Sequence, residues 1–183
     1  MLSQESKREL VRIAREAIAG ALGLRPVVDT GTSDASLSAP RGAFVTLRID
    51  SNLRGCIGYI ESVLPLAEVV SEVALKAAFE DPRFPPLTRS EFDKISIEVS
   101  ILSPLERVRD TEEIQVGVHG LLMELGSRRG LLLPQVATEY HWDRMTFLNS
   151  TARKAGLPEN AWRNPDARIY KFSAEIVEEA DLT

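Results

Sequence analysis

Residues 43–60 read Ala43-Phe44-Val45-Thr46-Leu47-Arg48-Ile49-Asp50-Ser51-Asn52-Leu53-Arg54-Gly55-Cys56-Ile57-Gly58-Tyr59-Ile60. Apolar and β-branched residues alternate on both sides of the polar Asp50-Ser51-Asn52, which predicts a hairpin of strands 43–49 and 53–60 around a three-residue turn. Closing Ile49 against Leu53 puts Val45, Leu47, Ile49, Leu53, Gly55, Ile57 and Tyr59 on the core face. The other face then carries Phe44, Thr46, Arg48, Arg54, Cys56 and Gly58, with Cys56 opposite Thr46 and Arg54 opposite Arg48. A glycine inside a strand costs about 0.5–1 kcal/mol relative to alanine, so Gly55 and Gly58 call for a bulge, a bend or close approach by another group. A bulge at either one would turn Cys56 toward the core.

Outward from the hairpin, Leu10, Ile13, Ala14, Ala17, Ile18 and Ala21 recur at helical spacing within residues 3–22, behind a Ser3 or Ser6 cap. Arg25 to Pro40 reads as a loop. Residues 65–79 form a second helix with Leu66, Val69, Val70, Val73 and Ala77 on one face and Pro65 at its first position. Asp81-Pro82-Arg83-Phe84-Pro85-Pro86 ends that helix in extended backbone. Residues 95–101 alternate strictly, with Ile95, Ile97, Val99 and Ile101 on one face.

The order then recurs. A hairpin of 120–125 and 129–133 precedes a helix near 142–155 with Met145, Leu148, Ala152 and Ala155 as its buried stripe and Gly156 at C′. A strand near 168–177 follows, with Tyr170, Phe172, Ala174 and Ile176 on one face. The predicted fold is α+β: helices packed on a mainly antiparallel sheet, in two subdomains of approximate extent 1–104 and 105–183 that duplicate a hairpin, helix, strand unit.

The 183 residues are 44% apolar and 27% charged, the balance of a soluble domain with a packed core. A net charge of −5, with no basic run interleaved with aromatics, argues against nucleic acid as a partner. No window reaches the ~20 apolar residues of a membrane span, and the first residues lack a signal-peptide pattern, so no membrane partner and a cytoplasmic location are expected. Cys56 is the only cysteine and His119 and His141 the only histidines. That leaves no internal disulfide and no metal-ligand spacing. Phosphate-binding loops, dinucleotide-binding glycines and hydrolase elbows are missing too, so no metal or cofactor is expected.

Cys56 is the first candidate for chemistry, as nucleophile, redox thiol or pocket lining. Free cysteine is also among the most buried residue types, so a structural role stands beside these. Arg54, two residues away, is placed to lower the thiol pKa. Arg48 facing Arg54 is unfavourable without an anion between them, which points to an anionic ligand or to Glu98 from the next strand. His119 is either an acid or base or the cap of a turn. Asp81 and Arg83 either line a cleft or pair with each other at a turn. Gln135 and Glu139 lie one helical turn apart after Pro134, on a face that is either functional or solvated. Trp142 and Trp162 read as packing anchors.

Leu53-Arg54-Gly55-Cys56-Ile57-Gly58 is similar to the signature of the AMMECR-one domain family. Pro40-Arg41-Gly42-Ala43-Phe44-Val45-Thr46-Leu47, Asp81-Pro82-Arg83-Phe84-Pro85-Pro86-Leu87, Ile101-Leu102-Ser103-Pro104, Gly117-Val118-His119-Gly120, Leu133-Pro134-Gln135-Val136-Ala137 and Lys154-Ala155-Gly156-Leu157 extend the match from about Leu10 to Glu178. The resemblance implies an α+β fold of two subdomains with the cysteine motif near their junction, and a single domain over 1–183. It implies no established reaction. It does imply partnership with Memo-like proteins, which resemble metal-dependent extradiol dioxygenases, and with radical SAM proteins. Two functions follow as expectations. One is a domain that binds a partner or an unknown small molecule, with Arg48, Arg54, Gly55, Gly58, Asp81, Arg83 and Gln135 as candidate contacts. The other is an enzyme using Cys56 as nucleophile or redox thiol, with His119 as proton carrier.

Overall fold

The computed structural model describes residues 1–26 and 29–182. Residues 27 and 28, part of the expected Arg25–Pro40 loop, and residue 183 lie outside the described residues. The chain is α+β and divides into two compact units. One comprises Met1–Leu102 and Glu175–Thr183, the other Ser103–Ala174.

In the first unit the hairpin forms from β1 (Ala43–Ile49) and β2 (Asn52–Tyr59). β1 is the middle strand, antiparallel to β2 on one side and to β3 (Ile95–Leu102) on the other. α1 (Gln4–Ala21) buries Leu10, Val11, Ile13, Ala14 and Ile18, and Ser3 caps it by accepting the Ser6 amide. A single turn, α2 (Ala35–Ser38), interrupts the expected loop, capped by Asp34. α3 (Leu66–Phe79) packs on β1 and β2, α1 packs on α3, and α4 (Arg89–Phe92) leads into β3. Pro65 is the N-cap of α3, one position earlier than expected.

The hairpin turn has two residues, with Ile49 paired to Asn52. Asp50 and Ser51 both take positive φ, 48° and 65°, the signature of a type I′ turn whose twist matches that of the strands. Asn52 therefore belongs to the strand, and the register regains the expected Thr46–Cys56 pair through a bulge. Leu47 pairs with Gly55 while Arg48 pairs with Leu53, which leaves Arg54 as the extra residue. The predicted Arg48–Arg54 pair is thus corrected.

The second unit repeats the plan. β5 (His119–Leu125) is the middle strand between β6 (Arg128–Leu132) and β7 (Arg168–Glu178), with the short β4 (Glu106–Arg107) on the far side of β7. α5 (Pro134–Glu139) and α6 (Arg144–Lys154) cover it. Two assignments of buried residues are corrected. Met145 is exposed and Phe147 is fully buried in its place, because α6 starts at Arg144 behind the Asp143 cap, which turns its inward face. On β7, Ile169 and Phe172 are buried, Tyr170 is half-buried and Ile176 is exposed. Strict alternation fails there because Ile169 joins the core of the second unit and Val177 that of the first.

In both units a glycine on the second hairpin strand lets a helix end approach its backbone. A Cβ on Gly55 would overlap the Ala77 carbonyl oxygen of α3, and one on Gly130 the Ala155 amide after α6. Gly55→Ala is expected to lower unfolding free energy by about 1–3 kcal/mol or more, because the overlap is with backbone that has no rotamer to change. At Gly126, where φ is +61° but nothing lies within 4 Å, alanine should cost about 1 kcal/mol. Urea titration of the two variants checks the order.

Candidate functional site

β2 is the outer strand of its sheet, and the loop after α3 closes its exposed edge. Cys56 directs its amide away from β1, onto the Asp81 carboxylate, at 2.9 Å. The same carboxylate accepts the Arg83 amide at 3.1 Å and the Arg83 guanidinium at 3.0 and 2.7 Å. Asp81 is 4% exposed, and these donors hold it at about pKa 2, the Arg83 side chain contributing most. The local sequence dictates this shape. Asp81 starts a turn through its side chain, its carbonyl takes the Phe84 amide, and Pro82, Pro85 and Pro86 fix the backbone between. Leu87 is buried and returns its amide to Ala78, so both ends of the loop are tied down.

Arg54, the bulged residue, is 9% exposed and pairs with Glu91 at 2.9 and 3.2 Å while donating to the Pro85 carbonyl. The partner of Arg54 is therefore Glu91, because the bulge takes Arg54 out of line with Arg48. The Arg54 guanidinium and the Thr88 amide hold Glu91 at about pKa 2. The Phe84 ring lies 5.9 Å from the Arg54 guanidinium and 5.6 Å from that of Arg83. Glu91 was legible in principle: Thr88-Arg89-Ser90-Glu91 is a capping-box sequence, and the Glu91 carboxylate accepts the Thr88 amide at 2.9 Å.

The thiol lies where the Thr46 pairing places it, 3.3 Å from the Thr46 hydroxyl and half-buried. Thr46 also pairs with Glu98, so Cys56, Thr46 and Glu98 form one row across three strands. Burial pushes the thiol pKa up; the Thr46 hydrogen bond and the positive Arg83 oppose this, and Glu98 and Asp81 add to it. The expectation that Arg54 activates the thiol is corrected: the nearby cation is Arg83, and burial outweighs it.

The glycines of the motif serve packing. Gly55 admits α3, and a Cβ on Gly58 would strike the ring of Phe44, its cross-strand partner. Arg48 sits beside a cavity of about 130 Å³ with Ser96, Glu98 and Glu178. His119 and Gln135 belong to the other unit. There the His119 Nδ1 accepts the Gln115 amide and caps a turn, and burial, followed by the charge of Lys171, lowers its pKa. Gln135 is half-buried near the start of α5. Among the described residues no three His, Cys, Asp or Glu are grouped to hold a metal ion, and no helix is long and apolar enough to cross a membrane.

The family model AMMECR1 matches residues 11–177. A protein of Methanothermobacter thermautotrophicus is 46% identical, over 97% of this chain and 96% of its own length. One from Aquifex aeolicus is 40% identical, over 95% and 93%. The crystal structure of an uncharacterised Pyrococcus horikoshii protein superposes with a TM-score of 0.91 at 40% identity, covering 97% of this chain and 93% of that one.

Two predictions follow from the geometry. The folded pKa of Asp81 lies below its unfolded value, so its stabilisation is complete above about pH 4 and is lost as pH falls toward 2. With Arg83 half in solvent, the loss should be about 1–2 kcal/mol. Asp81→Asn should flatten that part of the pH–stability curve; an unchanged slope in urea unfolding would exclude the clamp. Alkylation of Cys56 should show a midpoint above that of a free thiol, and Arg83→Ala should raise it further.

Proposed function

We propose that this chain, which belongs to the AMMECR1 family, is a non-catalytic binding domain that docks a protein partner on the Asp81–Leu87 loop. The observation that carries the reading is the Asp81 carboxylate, which ties Cys56 and Arg83 together and fixes an exposed segment of fold. Pro82, Arg83, Pro85 and Pro86 are exposed while their backbone is held at both ends. Such a surface loses little conformational entropy on association. Arg83 and Phe84 offer a cation and an aromatic ring, the side-chain types that dominate interface energetics.

The thiol reading has less support. A nucleophilic cysteine needs a lowered pKa or an adjacent base, whereas this thiol is raised by burial and bonded to a hydroxyl. Both histidines belong to the other unit.

The partners proposed are a Memo-like protein and a radical SAM protein of the same cell, in the cytoplasm. Size-exclusion chromatography and calorimetry with each purified candidate test this. Binding should weaken about tenfold or more in Arg83→Ala, with the fold intact by circular dichroism. Binding indifferent to Arg83 would move the interface elsewhere, and no binding to either protein would remove the partnership.

A further inference from the structure

We propose that a cleft beside α1 binds a small oxyanion ligand, one carrying a phosphate or carboxylate group on a short apolar body. The cleft has a volume of about 200 Å³, and four arginines and two glutamates line it around Val11. Arg8, Arg12 and Arg15 stand at i, i+4 and i+7 of α1, so their charges share one helix stripe. Like charges at this spacing destabilise a helix unless they are neutralised.

Two of the three are neutralised within the chain. Arg12 is held by Glu9 and Glu16. Arg15 is paired with Glu179 and donates to the carbonyls of Phe92 and Ile95, which fixes its plane in the cleft wall. Arg8 and Arg25 are different: both line the cleft, and neither makes a hydrogen bond or ion pair among the described residues. The glutamates that line the cleft, Glu16 and Glu179, are the ones engaged by Arg12 and Arg15. Arg8 and Arg25 are thus two exposed arginines lining a space whose carboxylates are already used.

Guanidinium is the group best matched to the paired oxygens of phosphate or carboxylate. Val11 lines the cleft and is 4% exposed, an apolar floor that suits a few methylenes rather than a second charge. A cleft of this volume takes a small molecule or a single side chain.

The test is an NMR titration of the ¹⁵N-labelled chain with inorganic phosphate and with butyrate, each compared with chloride at matched ionic strength. Saturable shifts of the Arg8, Val11 and Arg12 amides are expected with one or both oxyanions and not with chloride. Phosphate alone would assign a phosphoryl ligand, butyrate alone a carboxylate, and both the shared oxyanion chemistry. The double variant Arg8→Ala/Arg25→Ala should bind about tenfold or more weakly with an unchanged melting temperature. Shifts matched by chloride, or a double variant that binds like the parent chain, would overturn the proposal.

Discussion

An outer β-strand exposes amide and carbonyl groups that must be paired, covered or left open to another chain. Here the Asp81 carboxylate meets that demand at Cys56, and much of the surrounding structure follows from it. Because the acceptor is a side chain rather than another strand, the sheet ends at β2. The charge of the acceptor recruits Arg83, and the prolines on either side of Arg83 hold the loop away from helix and strand alike. Arg54, displaced by the bulge, completes the seal by bonding Pro85 and Glu91. Most of the polar atoms that make the Arg54-Gly55-Cys56 motif conspicuous are spent on closing a strand edge.

The two units reach similar solutions. Each has a hairpin whose first strand is central, a helix laid on the second strand, and a glycine where the helix end meets that strand. The residue met is an alanine in both cases, Ala77 and Ala155, so the approach is backbone to backbone. The side-chain contacts at the two outer strands differ: in the first a carboxylate accepts a strand amide, and in the second the Arg128 side chain donates to the Gly156 carbonyl after α6. The cysteine has no counterpart in the second hairpin, where Leu131 follows Gly130.

For the thiol, burial and charge act in opposite directions. Arg83 favours thiolate, but its charge is largely matched by Asp81, and Glu98 lies on the same cross-strand row as Cys56. Desolvation therefore prevails. A cysteine beside an arginine in a sequence suggests activation, whereas the same pair in a sheet depends on which carboxylates the fold brings alongside.

The sequence by itself determined the longer helices and strands and the α+β class. Alternation in 43–49 and 95–101 and the helical stripe of α1 and α3 are local periodicities that survive any tertiary arrangement. The expected Thr46–Cys56 pair forms, but only because the bulge at Arg54 offsets a turn one residue shorter than the alternation suggested. Only the tertiary structure decided what the motif touches. The bulge at Arg54, the partner Glu91 some 37 residues away and the clamp from Asp81 are contacts between distant segments. A one-residue change of register redirects a side chain, and no local pattern encodes it. The exposed Met145 and the irregular burial along β7 have the same origin, because the face a residue presents depends on what packs against it.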